Sequence, residues 1–280
     1  MEISIRNLSV ADIPAADKIV MSAFGQSESR LDEMQRYLVI QPDGWFVAEQ
    51  AGLLLGMVGA VDYGAFAYIG LMVVWPEFQG RGIGRLLMER LLGWLDQRGT
   101  PSLLDATEMG YPLYKKLGFV ETDLSCVYIQ ARPVEYEPPV SPVYLLQSND
   151  LDELVAFDTP LFGADRRNAL RVMLRDYPGE VFAARDKAGK ITGYTINRDG
   201  RLSPWMAHDP ASAERVLQAA LVSTVPGTPA AIIPGVNQAG IQILERYGFT
   251  FKRSCRHMQR GLAVERRRTQ TYGLISFAIG

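Results

Sequence analysis

Three glycines in six residues, Gln79-Gly80-Arg81-Gly82-Ile83-Gly84, separate the apolar run ending Met72-Val73-Val74-Trp75-Pro76 from the amphipathic stretch Arg85-Leu86-Leu87-Met88-Glu89-Arg90-Leu91-Leu92. A strand that passes into a helix through such a bend turns successive main-chain N–H groups, and the positive end of the helix dipole, toward one point. Glycine serves there because a side chain would keep a diphosphate away from the backbone, and because the bend calls for positive φ. The segment therefore predicts an α/β layer built around an anion site, and a phosphate-bearing ligand. Dinucleotide folds use the order G-x-G-x-x-G, with a ribose-binding acid about 20 residues further on. Here the order is Q-x-x-G-x-G, Pro76 ends the strand, and no second strand carrying such an acid follows at that distance.

A second segment continues the pattern. Ser102-Leu103-Leu104-Asp105-Ala106-Thr107 reads as a strand, Gly110 to Leu117 as a helix with Gly118 as its C-cap, and Phe119 opens another apolar strand. Together the two segments resemble the acyl-CoA signature of the GNAT acetyltransferase superfamily. Val74, Pro76, Gln79, Gly82 and Gly84 match its L-x-V-x-P…Q/R-x-x-G-x-G/A run, and Tyr114-Lys115-Lys116-Leu117-Gly118-Phe119 matches the Y-x-x-L-G-F run that closes the same site.

At 280 residues the chain is long enough for about two domains, each with its own core. Periodicity gives the same plan twice. The first half reads as a strand at 3–6, helices at 11–24 and 29–39, strands at 45–49 and 53–61 and one ending at Pro76, then a helix at 81–98, a strand at 102–107, a helix at 108–117 and a strand at 119–130. Pro133-Val134-Glu135-Tyr136-Glu137-Pro138-Pro139 is too proline-rich for a central strand or a helix. Beyond it strands at 143–146, 181–185, 191–197, 202–207 and 230–233 alternate with helices at 151–157, 165–175, 211–222 and 238–247. The fold class expected is α/β (α+β): tandem GNAT folds, each a mixed, mostly antiparallel twisted sheet flanked by helices. The boundaries are 1–132 for a cofactor-binding first domain, 133–141 for a linker and 142–280 for a second domain. A terminal strand at 273–279 could cross between them.

Superposing Gly248-Phe249 on Gly118-Phe119 sets Leu244 opposite Tyr114 and Gly240 opposite Gly110, and puts Trp205 to Ala213 in place of the glycine loop. That stretch has no glycine, Asp209 brings a negative charge, and Pro210 has no N–H to offer. The second half is expected to keep the fold without the cofactor chemistry. As a whole the chain is similar to two-domain GNAT proteins with a divergent carboxy-terminal domain.

The resemblance implies an N-acetyltransferase that moves an acetyl group from acetyl-CoA directly to a primary amine of a small molecule or amino acid. Gln79, Gly80, Arg81, Gly82, Ile83, Gly84 and Arg85 would take the diphosphate, and the backbone of Met72, Val73 and Val74 would pair with the pantetheine. An N–H near Val74 would face the thioester oxygen. Tyr114 would return a proton to the leaving thiolate, unless it only packs its helix on the sheet. Arg81 and Arg85 serve equally well as phosphate partners or as a solvated helix face. For the amine proton, Glu108, Glu49, Asp62, Asp105 and a water chain stand as alternatives. The 158–166 segment and the 256–260 strand are candidates for an acceptor pocket, with domain packing the simpler account. A non-catalytic acyl-CoA sensor and an enzyme using longer acyl-CoA donors are the competing readings, and a homodimer stays open.

Net charge is −2, which gives no general pull toward nucleic acid, and Arg266-Arg267-Arg268 reads as a solvated face. No apolar run approaches the ~18 residues of a membrane span, and the first residues carry no basic segment followed by an apolar one, so a soluble cytoplasmic protein is expected. Cys126 and Cys255 are expected as buried thiols, and His208 and His257 have no ligand spacing, so no metal is expected.

Overall fold

A computed structural model describes residues 2–25, 27–135, 139, 142–222 and 227–280. In the first half β1 (Ser4–Asn7) leads to α1 (Ile13–Phe24) and α2 (Leu31–Ile40). Then come β2 (Trp45–Gln50), β3 (Leu53–Asp62), β4 (Ala67–Val74), α3 (Ile83–Asp96), β5 (Ser102–Ala106), α4 (Tyr111–Lys116) and β6 (Val120–Gln130). The second half has β7 (Val143–Leu145), α5 (Leu151–Phe162), α6 (Arg167–Asp176), β8 (Val181–Arg185), β9 (Ile191–Arg198) and β10 (Arg201–Ala207). It ends with α7 (Pro210–Val222), β11 (Ala230–Pro234), α8 (Gln238–Arg246), β12 (Phe249–Arg260) and β13 (Thr271–Gly273). The proline-rich connection expected at 133–141 lies largely outside the described residues.

These strands make one mixed sheet in the order β1-β2-β3-β4-β5-β12-β6-β11-β10-β9-β8-β7, with β13 paired to β10. Among the described residues only the β4–β5 and β10–β11 pairs are parallel. The halves exchange their long last strands: β12 lies between β5 and β6, pairing His257 with Asp105, while β6 continues to β11 through Tyr128 and Ala231. Neither half therefore closes its sheet with its own last strand.

The apolar stripe Ile13, Ala16, Ile19 and Val20 of α1 packs on one face of the sheet, in a core that runs on under α5 and α6. Leu87, Leu91, Trp94 and Leu95 of α3 cover the other face in the first half, and α7 with α8 does so in the second. Because both faces are covered, β2 reads Trp-Phe-Val-Ala without polar alternation and all four residues are buried. The shared core is tied by Phe66 and Tyr63 against Phe162, with ring centroids 5.2 and 5.1 Å apart.

The expected strand at 273–279 is corrected. Strand geometry ends at Gly273, and residues 274–280 close into a hooked turn in which Ile275 N–H donates to Gly280 O at 2.9 Å and Gly280 N–H to Ser276 O at 3.1 Å. The hook does reach the first half, where Tyr63 Oη donates to Ile279 O at 2.7 Å. Cys126 and Cys255 are buried and unlinked. Among the described residues no helix is long and apolar enough to cross a membrane.

Candidate active site

Strands β4 and β5 pair through Ala67–Ser102, Tyr68–Leu103 and Ile69–Leu104, and then diverge. On the other side of β4 the register with β3 slips between Met57 and Gly59, opposite Leu71, which takes φ of 50°. A left-handed leucine in a bulge is strained and re-aims the strand. Residues 70–74 thus present a strand edge without a β5 partner to the gap between the two strands.

The glycine loop closes one end of that gap. Gly80 and Gly82 have φ of 76° and 83°, and an added Cβ at either would meet no protein atom within 4 Å. Gly82 is the N-cap of α3, and its carbonyl accepts from Arg85 N–H at 3.0 Å and Leu86 N–H at 3.1 Å. Among the described residues nothing accepts from the amides of residues 80–84, so they and the helix dipole form an anion cradle. The expected helix start at Arg81 moves to Ile83 because both positive-φ glycines precede it.

The resulting cleft measures about 590 Å³ and is lined by Met72, Val73, Val74, Gln79, Gly80, Gly82, Ile83, Gly84 and Tyr114, together with residues 107–110. Gln79 braces the loop, its Nε2 donating to Val74 O at 3.1 Å. Arg81 and Arg85 are absent from the lining. Arg81 donates to Glu77 O at 3.1 Å and stacks over Phe78, and Arg85, with 71% of its side chain exposed, pairs with Glu89 at 2.7 Å. This end of the cleft is therefore lined by main chain more than by either guanidinium.

Tyr114 stands at the other end. Its ring packs over Gly110, where an added Cβ would lie 2.8 Å from Cε2, and edge-on to Phe119 at 6.0 Å. Its hydroxyl has no hydrogen-bond partner among the described residues. Burial, with a smaller contribution from Cys255, pushes its pKa well above the ordinary phenol value, so it stays protonated at neutral pH.

A second pocket of about 490 Å³ meets the first at Phe24, Met72, Thr107 and Tyr114. Both halves build it: β4 and β5 form one wall, β6, β11 and β12 another, and the hook at 274–278 the floor. Asp105 borders it through its main chain. Its carboxylate accepts from the Tyr68 hydroxyl and lies 3.1 Å from His257 Nδ1. Burial alone would raise the Asp105 pKa, but the His257 contact outweighs it and holds the group below the usual carboxylate range. Burial lowers the His257 pKa, so the imidazole is neutral and donates from Nδ1. Glu33, also in the lining, is held low against its burial by Arg30 at 3.3 Å and by the Tyr37 hydroxyl at 2.7 Å.

Of the four carboxylates considered from sequence, Asp105 borders the second pocket and Glu108 the first, and Glu49 and Asp62 border neither. Glu108 is 82% exposed and pairs with Arg256, Glu49 pairs with Arg6, and Asp62 accepts from Gly64 N–H. In the 158–166 segment Asp158 and Arg166 form a buried ion pair at 2.7 Å beneath Tyr194, away from both pockets. Sequence reasoning missed Glu33, Arg253 and Cys255. No local signal marks them, since each enters the site through packing between the halves.

In the second half the matching gap is filled by the chain itself. β10 and β11 pair only at Arg201–Ala230, and β13 then lies beside β10, with Trp205 opposite Gly273 and Leu274 N–H donating to Ile232 O at 2.8 Å. The start of α7 is occupied by the carboxylate of Asp209, which accepts from Ser212 N–H at 2.9 Å.

Acetyltransferase (GNAT) domain families match residues 41–121 and 154–273. The chain is 28% identical over 170 residues to an uncharacterized N-acetyltransferase of Bacillus subtilis, a match that covers 59% of this chain and 58% of that relative. It is 33% identical over 110 residues to an acetyltransferase of Pectobacterium atrosepticum, covering 37% of this chain and 74% of that one. A putative acetyltransferase from Pyrococcus horikoshii superposes with a TM-score of 0.89 at 27% identity, over 99% of this chain and 96% of that one. A GCN5-related N-acetyltransferase from Sphaerobacter thermophilus shares the fold at a TM-score of 0.71 and 15% identity, over 94% and 98% of the two chains.

Proposed function

The chain belongs to the GNAT acetyltransferase family, and we propose that it transfers the acetyl group of acetyl-CoA directly to a primary amine of a small molecule, with one cofactor site per chain. The observation that carries this reading is the junction of two pockets at Tyr114: one has a cradle of unpaired amides, and both halves of the chain build the other. The cradle at residues 80–84 suits a diphosphate, and the unpaired edge of β4 at 72–74 suits the amides of a pantetheine arm. An amide on that edge would take up negative charge developing on the carbonyl oxygen.

The amine nitrogen bonds to the acetyl carbon as the carbon–sulfur bond breaks. Tyr114 gives its proton to the departing sulfur, and the amine gives its protons up to water in the pocket. Asp105, held ionised and with its side chain fully buried, is a poor proton acceptor at neutral pH and holds Tyr68 and His257 in place without touching the amine. The β13 plug and the Asp209 cap support the view that the second half binds no acyl-CoA.

Thiol release from acetyl-CoA, measured against amino acids, polyamines, aminoglycosides and lysine peptides, tests this reading. Acceptor-dependent release is expected. Tight coenzyme A binding with no release for any acceptor would replace the enzyme with an acyl-CoA sensor.

A further inference from the structure

The charges that reach the second pocket are mostly of one sign. Three guanidiniums line it, those of Arg30, Arg201 and Arg253, against one carboxylate with exposed surface, that of Glu33. Glu33 is already occupied: Arg30 lies 3.3 Å from it and Arg201 3.8 Å, and the Tyr37 hydroxyl donates to it at 2.7 Å. Asp105 brings only main chain to the pocket, because its side chain is fully buried with Tyr68 and His257. Behind the walls, the buried guanidiniums of Arg198 and Arg266 bond to carbonyl and hydroxyl oxygens, and among the described residues no carboxylate pairs with either. The field in the pocket is therefore positive.

Arg253 stands beside the reacting end. Its guanidinium donates to Cys255 Sγ at 3.2 Å and lies 4.9 Å from the Phe277 ring centroid, and both of those residues line the pocket. Cys255 in turn is near enough to Tyr114 to add to the rise in its pKa. Among the described residues no carboxylate pairs with Arg253. Arg253 sits opposite Val127 of β6, Val127 opposite Ile232 of β11, and Arg201 beside Ala230 at the far edge of the same wall. With three strand spacings between them, β12 and β10 stand about 14 Å apart. Arg253 and Arg201 thus bracket an apolar wall, and a small ligand held by Arg253 leaves Arg201 to Glu33.

We propose that the acceptor is an acidic amine, a small molecule that presents its amino group at Tyr114 and a carboxylate or phosphate to Arg253, and that carries no second ammonium. The proposal rests on the reading of this pocket as the acceptor site. An acid group on Arg253 makes charge-assisted hydrogen bonds and offsets the excess of guanidiniums. A simple amine leaves Arg253 unmatched. A polyamine or an aminoglycoside brings further ammonium groups into a positive field, where the one exposed carboxylate is already bound.

Calorimetry on the full chain with coenzyme A present tests this through binding, independently of turnover. The probes are glutamate, 2-aminoethyl phosphate, n-butylamine and 1,4-diaminobutane. At least one of the two acidic amines is expected to bind about tenfold or more tightly than n-butylamine, and the diamine more weakly still. Glutamate and 2-aminoethyl phosphate separate a carboxylate head from a phosphate. Arg253→Gln should erase the advantage of the acidic amine and leave n-butylamine binding unchanged, while Arg253→Lys keeps part of it. Arg253 is exposed, so coenzyme A affinity and a melting curve will confirm that the variants fold. Equal or tighter binding of n-butylamine or the diamine, no binding of either acidic amine, or an unaffected Arg253→Gln would each overturn the proposal. Acidic-amine binding without thiol release for any acceptor would remove the transferase reading and leave this one standing; thiol release confined to amines without an acid group would do the reverse.

Discussion

Replacing Tyr114 by Phe removes one oxygen atom and leaves the packing in place. The ring stays between Gly110 and Phe119, and the lost hydroxyl has no protein partner to orphan, so stability should change by no more than about 0.5 kcal/mol. In the wild type, burial keeps that hydroxyl protonated, facing both pockets. If it donates the proton that the leaving thiolate needs, its loss removes a general acid and should lower kcat by about 10²–10⁴, or about 3–5 kcal/mol of barrier. The coenzyme A dissociation constant should hold within about twofold, because the amides of residues 80–84 are untouched. Steady-state thiol release gives kcat, calorimetry gives the affinity, and a denaturant titration gives stability. A variant that folds normally and keeps kcat within about threefold of wild type would refute the role. Loss of affinity in step with rate would show that Tyr114 only shapes the cleft.

Gly82→Ala places a Cβ at φ of 83° on the cradle; it should cost about 1–2 kcal/mol in a denaturant titration and weaken coenzyme A binding about tenfold or more. Asp105→Asn weakens the buried hydrogen bonds to Tyr68 and His257 and should cost about 1–3 kcal/mol in a denaturant titration, with the coenzyme A dissociation constant unchanged by calorimetry. His257 and Asp105 both have folded pKa values below their unfolded ones, so the unfolded chain binds more protons on acidification. Their contribution to stability is present above the unfolded His value of about 6.5 and is lost as pH falls, first through His257 and then through Asp105. Melting curves from pH 8 to 5 should decline below pH 6.5, and His257→Gln should flatten the upper part of that decline.

The glycine bend, α3 and the Tyr114 helix were legible because their signals are local: helical periodicity, positive-φ glycines and a short run ending Leu117-Gly118-Phe119. The departure from the glycine bend in the second half was legible for the same reason, from Asp209 and Pro210 at the start of α7. Strand order was not. Nothing in the period of β12 says that it inserts between β5 and β6, yet that register alone brings His257 to Asp105 across 152 positions of sequence. Glu33 reads as an ordinary acid in the first turn of α2 and becomes a pocket residue only once Arg201 of the second half packs near it. The run at 273–279 has strand-like apolar content, but it turns back on itself because Gly280 and Ser276 close a hook. Arg81 and Arg85 sit inside the motif, yet their side chains point away from the cleft its backbone builds.

Amide hydrogen exchange on the full chain, with and without coenzyme A, tests the central claim at the atoms it concerns. Peptides spanning 79–86 should exchange more slowly when the ligand is bound, while those spanning 207–214 stay unchanged. Protection at 207–214, or none at 79–86, would contradict the account.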